Sequence, residues 1–187
     1  IIFLNVIFVN LLFSNSFKLH LLFTNNIHGA IHEVPARFIN PEFSPILAGG
    51  AGAFTYTSKI RKEAKLKEDF VILTDAGNIF QGSQLGTYDG GSNIIKWMNW
   101  MAYDAIVPGV REFDQGVNNL SKLASEANFP FLASNLEGVD GIEDYKIINA
   151  NGVKIGLIGL ITPFISEGLL PEYYEGVAVS DLMKTLN

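Results

Sequence analysis

The sequence contains no cysteine. Disulfides, thiolate metal sites and a cysteine nucleophile are thereby excluded. The compartment is not, because exported chains often lack cysteine too. Charge is sparse: 17% of residues are charged against 48% apolar, and the formal net charge is −6. A disordered chain shows the opposite balance. No Lys/Arg stripe exists outside Lys59–Lys67, and Glu63, Glu68 and Asp69 interrupt or follow that run. Nothing therefore marks a surface for a nucleic acid polymer. Lys59–Asp69 reads as the wet face of a helix. Long apolar runs are missing as well. The most apolar stretch, Ile1–Phe13, is broken by Asn5 and Asn10. It falls short of the ~20 residues of a stable membrane span.

Ser14-Asn15-Ser16 follows that stretch, with small residues two apart. The pattern resembles the apolar region and cleavage site of a secretory signal without its basic start. Residues 1–17 are thus expected to be a signal remnant, and the protein to be exported, periplasmic or extracellular. A buried edge strand or helix is the alternative. The first residue is isoleucine, and Asp181–Asn187 reads as a helix just beginning. Residues 18–187 are therefore expected to be part of a larger domain.

What is present centres on Leu73–Ser83. The β-branched run Phe70–Thr74 reads as a buried parallel strand, and it ends in Asp75-Ala76-Gly77-Asn78. Short polar side chains at the carboxyl end of such a strand lie where open α/β sheets bind ligands. Asp75 and Asn78 either face a site or merely shape a turn. Lys18–Thr24 reads as a strand with Asn26 and His28 beyond its end. His28 alone could be a ligand, a base or an idle loop residue. Ala105–Val107 and Phe131–Ala133 read as strands ending in Pro108–Gly116 and Ser134-Asn135.

Between these strands, Ala30–Ala48 reads as a long loop and Gly49–Gly52 as a sharp turn into a helix over Ala53–Lys67. The glycines lack the lysine and spacing of a nucleotide phosphate loop. Further helices are expected over Asn93–Ala102, with Ser92 as N-cap, and over Asn118–Ala127. Trp97 and Trp100 read as core packing. Tyr145–Ile148 and Val153–Leu160 read as a hairpin with an Asn-Gly turn, in which Gly156 and Gly159 suggest close backbone approach. Strands alternating with helices define an α/β fold. The fold sets Asn26, His28, Asp75, Asn78, Arg111, Asp114 and Asn135 along one sheet edge.

On these residues the chain resembles the N-terminal domain of the 5′-nucleotidases, a branch of the calcineurin-like metallophosphoesterases. Thr24–Gly29 is similar to the family's Thr-Asn-Asp-x-His-Gly. Asp75–Ser83 is similar to Asp-Ala-Gly-Asp-x-Phe-Gln-Gly-Ser. Gly109–Gly116 is similar to Gly-Asn-His-Glu-Phe-Asp-x-Gly, and Phe129–Asn135 to a Phe-Pro stretch ending in Ala-Asn. The resemblance runs from about Lys18 to Leu160. It implies a sandwich of two central β-sheets flanked by helices, of which only the N-terminal part is present. It also implies two divalent metals, zinc or manganese, that bind the phosphate and activate water. By position, Asn26 and His28 would serve the first metal and Asn78 would bridge both. Val110 stands where an asparagine binds the second metal, and so marks a lost ligand. Arg111 stands where a histidine pairs with the aspartate matching Asp114 in catalysis. Asn135 is the expected substrate-binding position.

The departures fall within the site. Asn26 and Asn78 replace carboxylates, and an amide brings a metal no charge. Two neighbouring dications need that charge. Arg111 adds a permanent cation. The surrounding Asp75, Gly77, Phe80, Gln81, Gly82, Gly109, Glu112, Phe113, Asp114 and Gly116 persist. The expectation is a degenerate, non-hydrolytic family member with an anion-binding or structural role. Its partner would be phosphate, a nucleotide or another small anion. The competing expectation is a metal-dependent hydrolase of nucleotides or related phosphoesters. Arg111 would hold a phosphate or carboxylate, or else pair with Asp114 or Glu112 and plug the cavity.

Overall fold

The computed structural model describes residues 16–185, so the apolar stretch Ile1–Phe13 lies outside the described residues. A parallel sheet organises the rest. Its strands are β1 (Leu19–Thr24), β4 (Phe70–Asp75), β5 (Ala105–Ile106), β6 (Phe131–Leu132) and β8 (Ile142–Glu143), and they lie side by side in that order. β1 pairs with β4 along its whole length, from Leu19 opposite Phe70 to Thr24 opposite Asp75. All four pairings are parallel, so the carboxyl ends of the strands share one edge, as the alternation of strands and helices requires. β8 has no β-branched run to announce it in the sequence. It is two residues long and holds its place by pairing with β6.

Helices cover one face. In α3 (Ser92–Met101), Ile94, Ile95, Met98 and Met101 are buried, an apolar stripe at helical spacing. In α4 (Val117–Glu126), Leu120 and Leu123 are buried. They meet Leu73, Ile79, Phe80, Ile106, Phe113 and Phe131 in one core. The N-cap of α3 is Gly91, in the left-handed region at φ 99°, and Ser92 is the first helical residue instead of the cap. A side chain at Gly91 would meet the Phe80 ring, so glycine takes the cap for lack of space.

The expected turn at Gly49–Gly52 is helix. α1 runs over Gly49–Leu66. A Cβ on Gly50 would come within 2.7 Å of the Trp97 indole nitrogen and 3.1 Å of Ile31. Glycine here serves close packing of a helix start and not chain reversal. The loop Ala30–Ala48 is pinned across its base, where β2 (Val34–Pro35) pairs with β3 (Ile46–Leu47). Trp97 packs partly buried against the core. Trp100 does not: it is 63% exposed and stacks on Phe54 with ring centroids 4.1 Å apart.

The short helix α2 (Gln84–Thr87) is capped by the Ser83 hydroxyl, which accepts from Gly86 N. Beyond β6, β7 (Leu136–Glu137) pairs with β11 (Ala178–Val179), and α5 (Leu182–Thr185) follows. β9 (Tyr145–Ala150) and β10 (Val153–Ile158) form the expected antiparallel hairpin. Its turn residues, Asn151 and Gly152, have φ of 51° and 90°, as a tight primed turn demands. Gly159 approaches the backbone of Leu132 too closely for any side chain, whereas Gly156 has only an ordinary neighbour, Ile147, at 3.7 Å.

Phe80 is fully buried among the residues that join the sheet to α3. Phe80→Ala is expected to lower unfolding free energy by about 3–5 kcal/mol, measured by chemical denaturation. A loss below about 1 kcal/mol would mean that this core is not continuous.

Candidate functional site

The carboxyl edge of the sheet carries the candidate site. Three loops meet there, after β1, β4 and β5, and backbone bonds lace the first two together. Asn26 N donates to Gly77 O at 3.0 Å, His28 N to Asn78 O at 3.0 Å and Gly29 N to Ile79 O at 2.7 Å. Asn26, His28 and Asn78 all take left-handed backbone conformations, with φ of 54°, 50° and 59°. Asparagine tolerates this region better than most residues. Glycines complete the approach. A Cβ on Gly77 would strike the backbone of Gly109, and one on Gly82 would come within 2.8 Å of His28 Cβ.

Glu112 joins the second and third loops from beneath. It is wholly buried in the 3-10 turn Val110–Phe113. Its carboxylate accepts from Asn78 N at 2.7 Å, Ile79 N at 2.7 Å and Gly109 N at 2.5 Å. Burial pushes the carboxyl up to about 7, against the lowering effect of the three N–H groups, and Asp75 adds a further raising influence. Asp75 is buried too. It accepts from the Thr24 hydroxyl at 2.5 Å and from Gly77 N at 2.6 Å. Burial raises it to about 6 despite those bonds. Thr24 also bonds the Tyr103 hydroxyl at 2.8 Å, and burial lifts that phenol to about 12. Asp75 and Glu112 therefore hold backbone in place and present no free oxygen pair to the edge. Sequence reasoning does not reach these roles: it places Glu112 among scaffold residues and as a partner for Arg111.

Asn78 is the hub of the upper layer. Its Oδ1 accepts from Arg111 N at 3.0 Å, and its Nδ2 donates to Asn26 Oδ1 at 2.8 Å. The His28 ring bonds Gln81 O through Nδ1 at 2.7 Å. A carbonyl only accepts, so Nδ1 carries the proton and Nε2 is left for the site. The Arg111 guanidinium is half-exposed, with one polar partner among the described residues, Asp114 Oδ2 at 3.5 Å. The structure thus gathers Asn26, His28, Asn78, Arg111 and Asp114 around one edge. Asn135 is committed elsewhere. It is buried, donates to Ile161 O at 2.8 Å and Ser180 O at 3.2 Å, and accepts from Ile161 N at 2.9 Å.

These residues do not fit a two-metal centre. The two candidate amide oxygens bring no charge and each already accepts one hydrogen bond, Val110 has no donor atom, and His28 Nε2 is the one ring nitrogen at this edge without a protein partner among the described residues. Among the described residues no three of His, Cys, Asp and Glu converge as a metal would require.

The fold is that of the calcineurin-like phosphoesterases. The chain superposes on one of these from Bacillus subtilis, YfkN, with a TM-score of 0.68 and 24% identity, over 89% of this chain and 55% of that one. Within that class, the chain is homologous to the N-terminal part of the 5′-nucleotidases. It is 34% identical over 158 residues to the snake venom 5′-nucleotidase of Crotalus adamanteus, covering 80% of this chain and 26% of the relative. A 5′-nucleotidase precursor from Thermus thermophilus superposes with a TM-score of 0.75 and 24% identity, over 91% of this chain and 33% of that one. No family model matches the chain. The chain spans about a quarter to a third of the length of the curated relatives it matches.

Two outcomes are expected. Asn135→Ala strands the buried Ile161 N–H and the carbonyls of Ile161 and Ser180, so stability falls by on the order of 3 kcal/mol. Anion affinity should stay unchanged, and a loss confined to affinity would return Asn135 to the site. The second concerns pH. Glu112 rises from an ordinary 4.5 to about 7, so the folded state holds its proton more tightly than the unfolded chain. Its contribution is full below about 4.5 and is lost as pH rises through about 7. Denaturation across this window should show that falling slope, flattened in Glu112→Gln; equal slopes would refute it.

Proposed function

We propose that this chain forms a non-hydrolytic anion site in a degenerate 5′-nucleotidase-family protein, with Arg111 as the anchor. One observation carries this reading. The guanidinium stands half-exposed at the sheet edge with a single long contact to Asp114 among the described residues. Most of its N–H donors are left open. A plug would be buried and fully bonded. An anion arm keeps its fork of donors available. The ligand class is a phosphate or a small phosphoester such as a nucleotide. Asp114 limits the stray motion of the arm, and His28 Nε2 offers a second polar group at the edge.

The donor set supports a reading without hydrolysis. Water activation in this family requires paired cations, and the amides of Asn26 and Asn78 are turned to each other and to Arg111 N. Residues 18–187 are taken as the N-terminal portion of the metallophosphatase domain and residues 1–17 as a signal remnant, which makes the protein exported. Support for export comes from the small-residue spacing after Ile1–Phe13 and from the venom relative. Among the described residues no helix is long and apolar enough to cross a membrane.

Calorimetric titration of the full-length protein with inorganic phosphate and with a nucleoside 5′-monophosphate tests the proposal. Binding is expected, and Arg111→Ala should weaken it by roughly 10- to 100-fold, the worth of a charge-assisted bond. No phosphate should be released with added Mn2+ or Zn2+. Metal-dependent release would establish the hydrolase instead. Equal affinity of wild type and Arg111→Ala would remove the arginine from the site.

A further inference from the structure

The misfit between the site and a metal pair has a positive counterpart. The geometry points to an amide bridge that adds a side-chain tie between the loops after β1 and β4 at the sheet edge, above the backbone bonds that already join them, and that needs no cation. The direction of each bond is forced. Arg111 N can only donate, so Asn78 must turn Oδ1 toward it, at 3.0 Å. Nδ2 of Asn78 is then left facing the loop after β1. Asn26 answers with Oδ1 at 2.8 Å. One side chain thus connects three loops, and the Asn26 bond spans 52 residues of sequence.

Two carboxylates could not make this contact. Neither would carry a donor, and like charges at that separation force a proton or a cation between them. A single aspartate could. Asn26→Asp leaves an acceptor facing the Asn78 amide, now with a stronger, charge-assisted bond. In Asn78→Asp, the Asn26 amide rotates to donate while Arg111 N keeps its acceptor. The bridge therefore needs at least one amide, at either position. It uses the backbone nitrogen of Arg111 and leaves the guanidinium open, so different measurements read the bridge and the anion site.

The test is a double-mutant cycle in thermal midpoint on the full-length protein, in chelator at neutral pH. Asn26→Asp and Asn78→Asp alone should each shift Tm by less than about 3 °C. Together they should lower it by roughly 5 °C or more beyond the sum of the single shifts. Additive shifts would overturn the inference. If the double aspartate variant does not fold, the cycle is run with Asn26→Ala and Asn78→Ala. Asn78→Ala alone already breaks the bridge, so adding Asn26→Ala to it should cost little more, and additive losses would again overturn the inference. Stabilisation of the wild type by Mn2+ or Zn2+ that the alanine pair abolishes would overturn it as well. Phosphate affinity reads on Arg111 independently: an intact cycle without phosphate binding sinks the proposed function alone, and binding with an additive cycle sinks the bridge alone.

Discussion

The buried carboxylate of Glu112 is the contact on which the sheet edge depends. A parallel sheet leaves its strand-end loops without ladder partners, and their N–H groups must be satisfied some other way. Glu112 satisfies three at once, from Asn78, Ile79 and Gly109. It sits in the turn after β5 and holds the loop after β4, so it fixes the distance between two strand ends. Asn78 can stay in its left-handed conformation because its own N–H is held from below and its side chain is aimed upward. The position of Arg111 follows, since its backbone nitrogen bonds the amide so aimed. Loss of the glutamate would leave the N–H groups of Asn78, Ile79 and Gly109 without this acceptor and remove its tie between the loops after β4 and β5.

A second layer of order comes from Asp75. It ends β4 and is paired in register with Thr24, which ends β1. The hydroxyl of Thr24 bridges Asp75 to Tyr103. The two buried acids, Asp75 and Glu112, lie close enough for the first to raise the second. A site that concentrated further negative charge above them would deepen that penalty unless cations were present. Neutral amides at 26 and 78 add none.

Much of this is legible in the sequence because parallel strands announce themselves. Phe70–Thr74 and Lys18–Thr24 are apolar runs stopped by short polar residues, and the ends of such strands must share an edge. The motif spacing then identifies Asn26, His28, Asn78 and Arg111 as neighbours, and the hydrogen bonds of Asn78 join Asn26 and Arg111 directly. What cannot be read is the direction in which polar groups turn. Asn135 stands at a strand end like the others, yet its amide faces inward to Ile161 and Ser180. Glu112 and Arg111 are adjacent in sequence and face opposite ways, one wholly buried and one half-exposed. Glycine is ambiguous for a similar reason: Gly49–Gly52 reads as a turn, but at Gly50 the missing side chain makes room for Trp97. Trp100 resembles its neighbour Trp97 in sequence and differs only in which side of α3 it occupies.

The substitutions at the edge are consistent with one another as electrostatics. Removing dications from a site while keeping two facing carboxylates would leave uncompensated charge beside buried acids. Removing the carboxylates alone would leave nothing to hold the cations. On the proposed reading both kinds of charge are absent together, and one fixed cation, Arg111, pairs with Asp114. The backbone had no need to change. Asparagine accepts the left-handed conformations of positions 26 and 78, so on the proposed reading amides at these positions keep the shape of the loops while changing what they hold. A fold signature and the ligand chemistry of its edge are thus set by different atoms: buried carboxylates and backbone N–H groups fix the loops, and the side-chain amides above them decide what charge the edge presents.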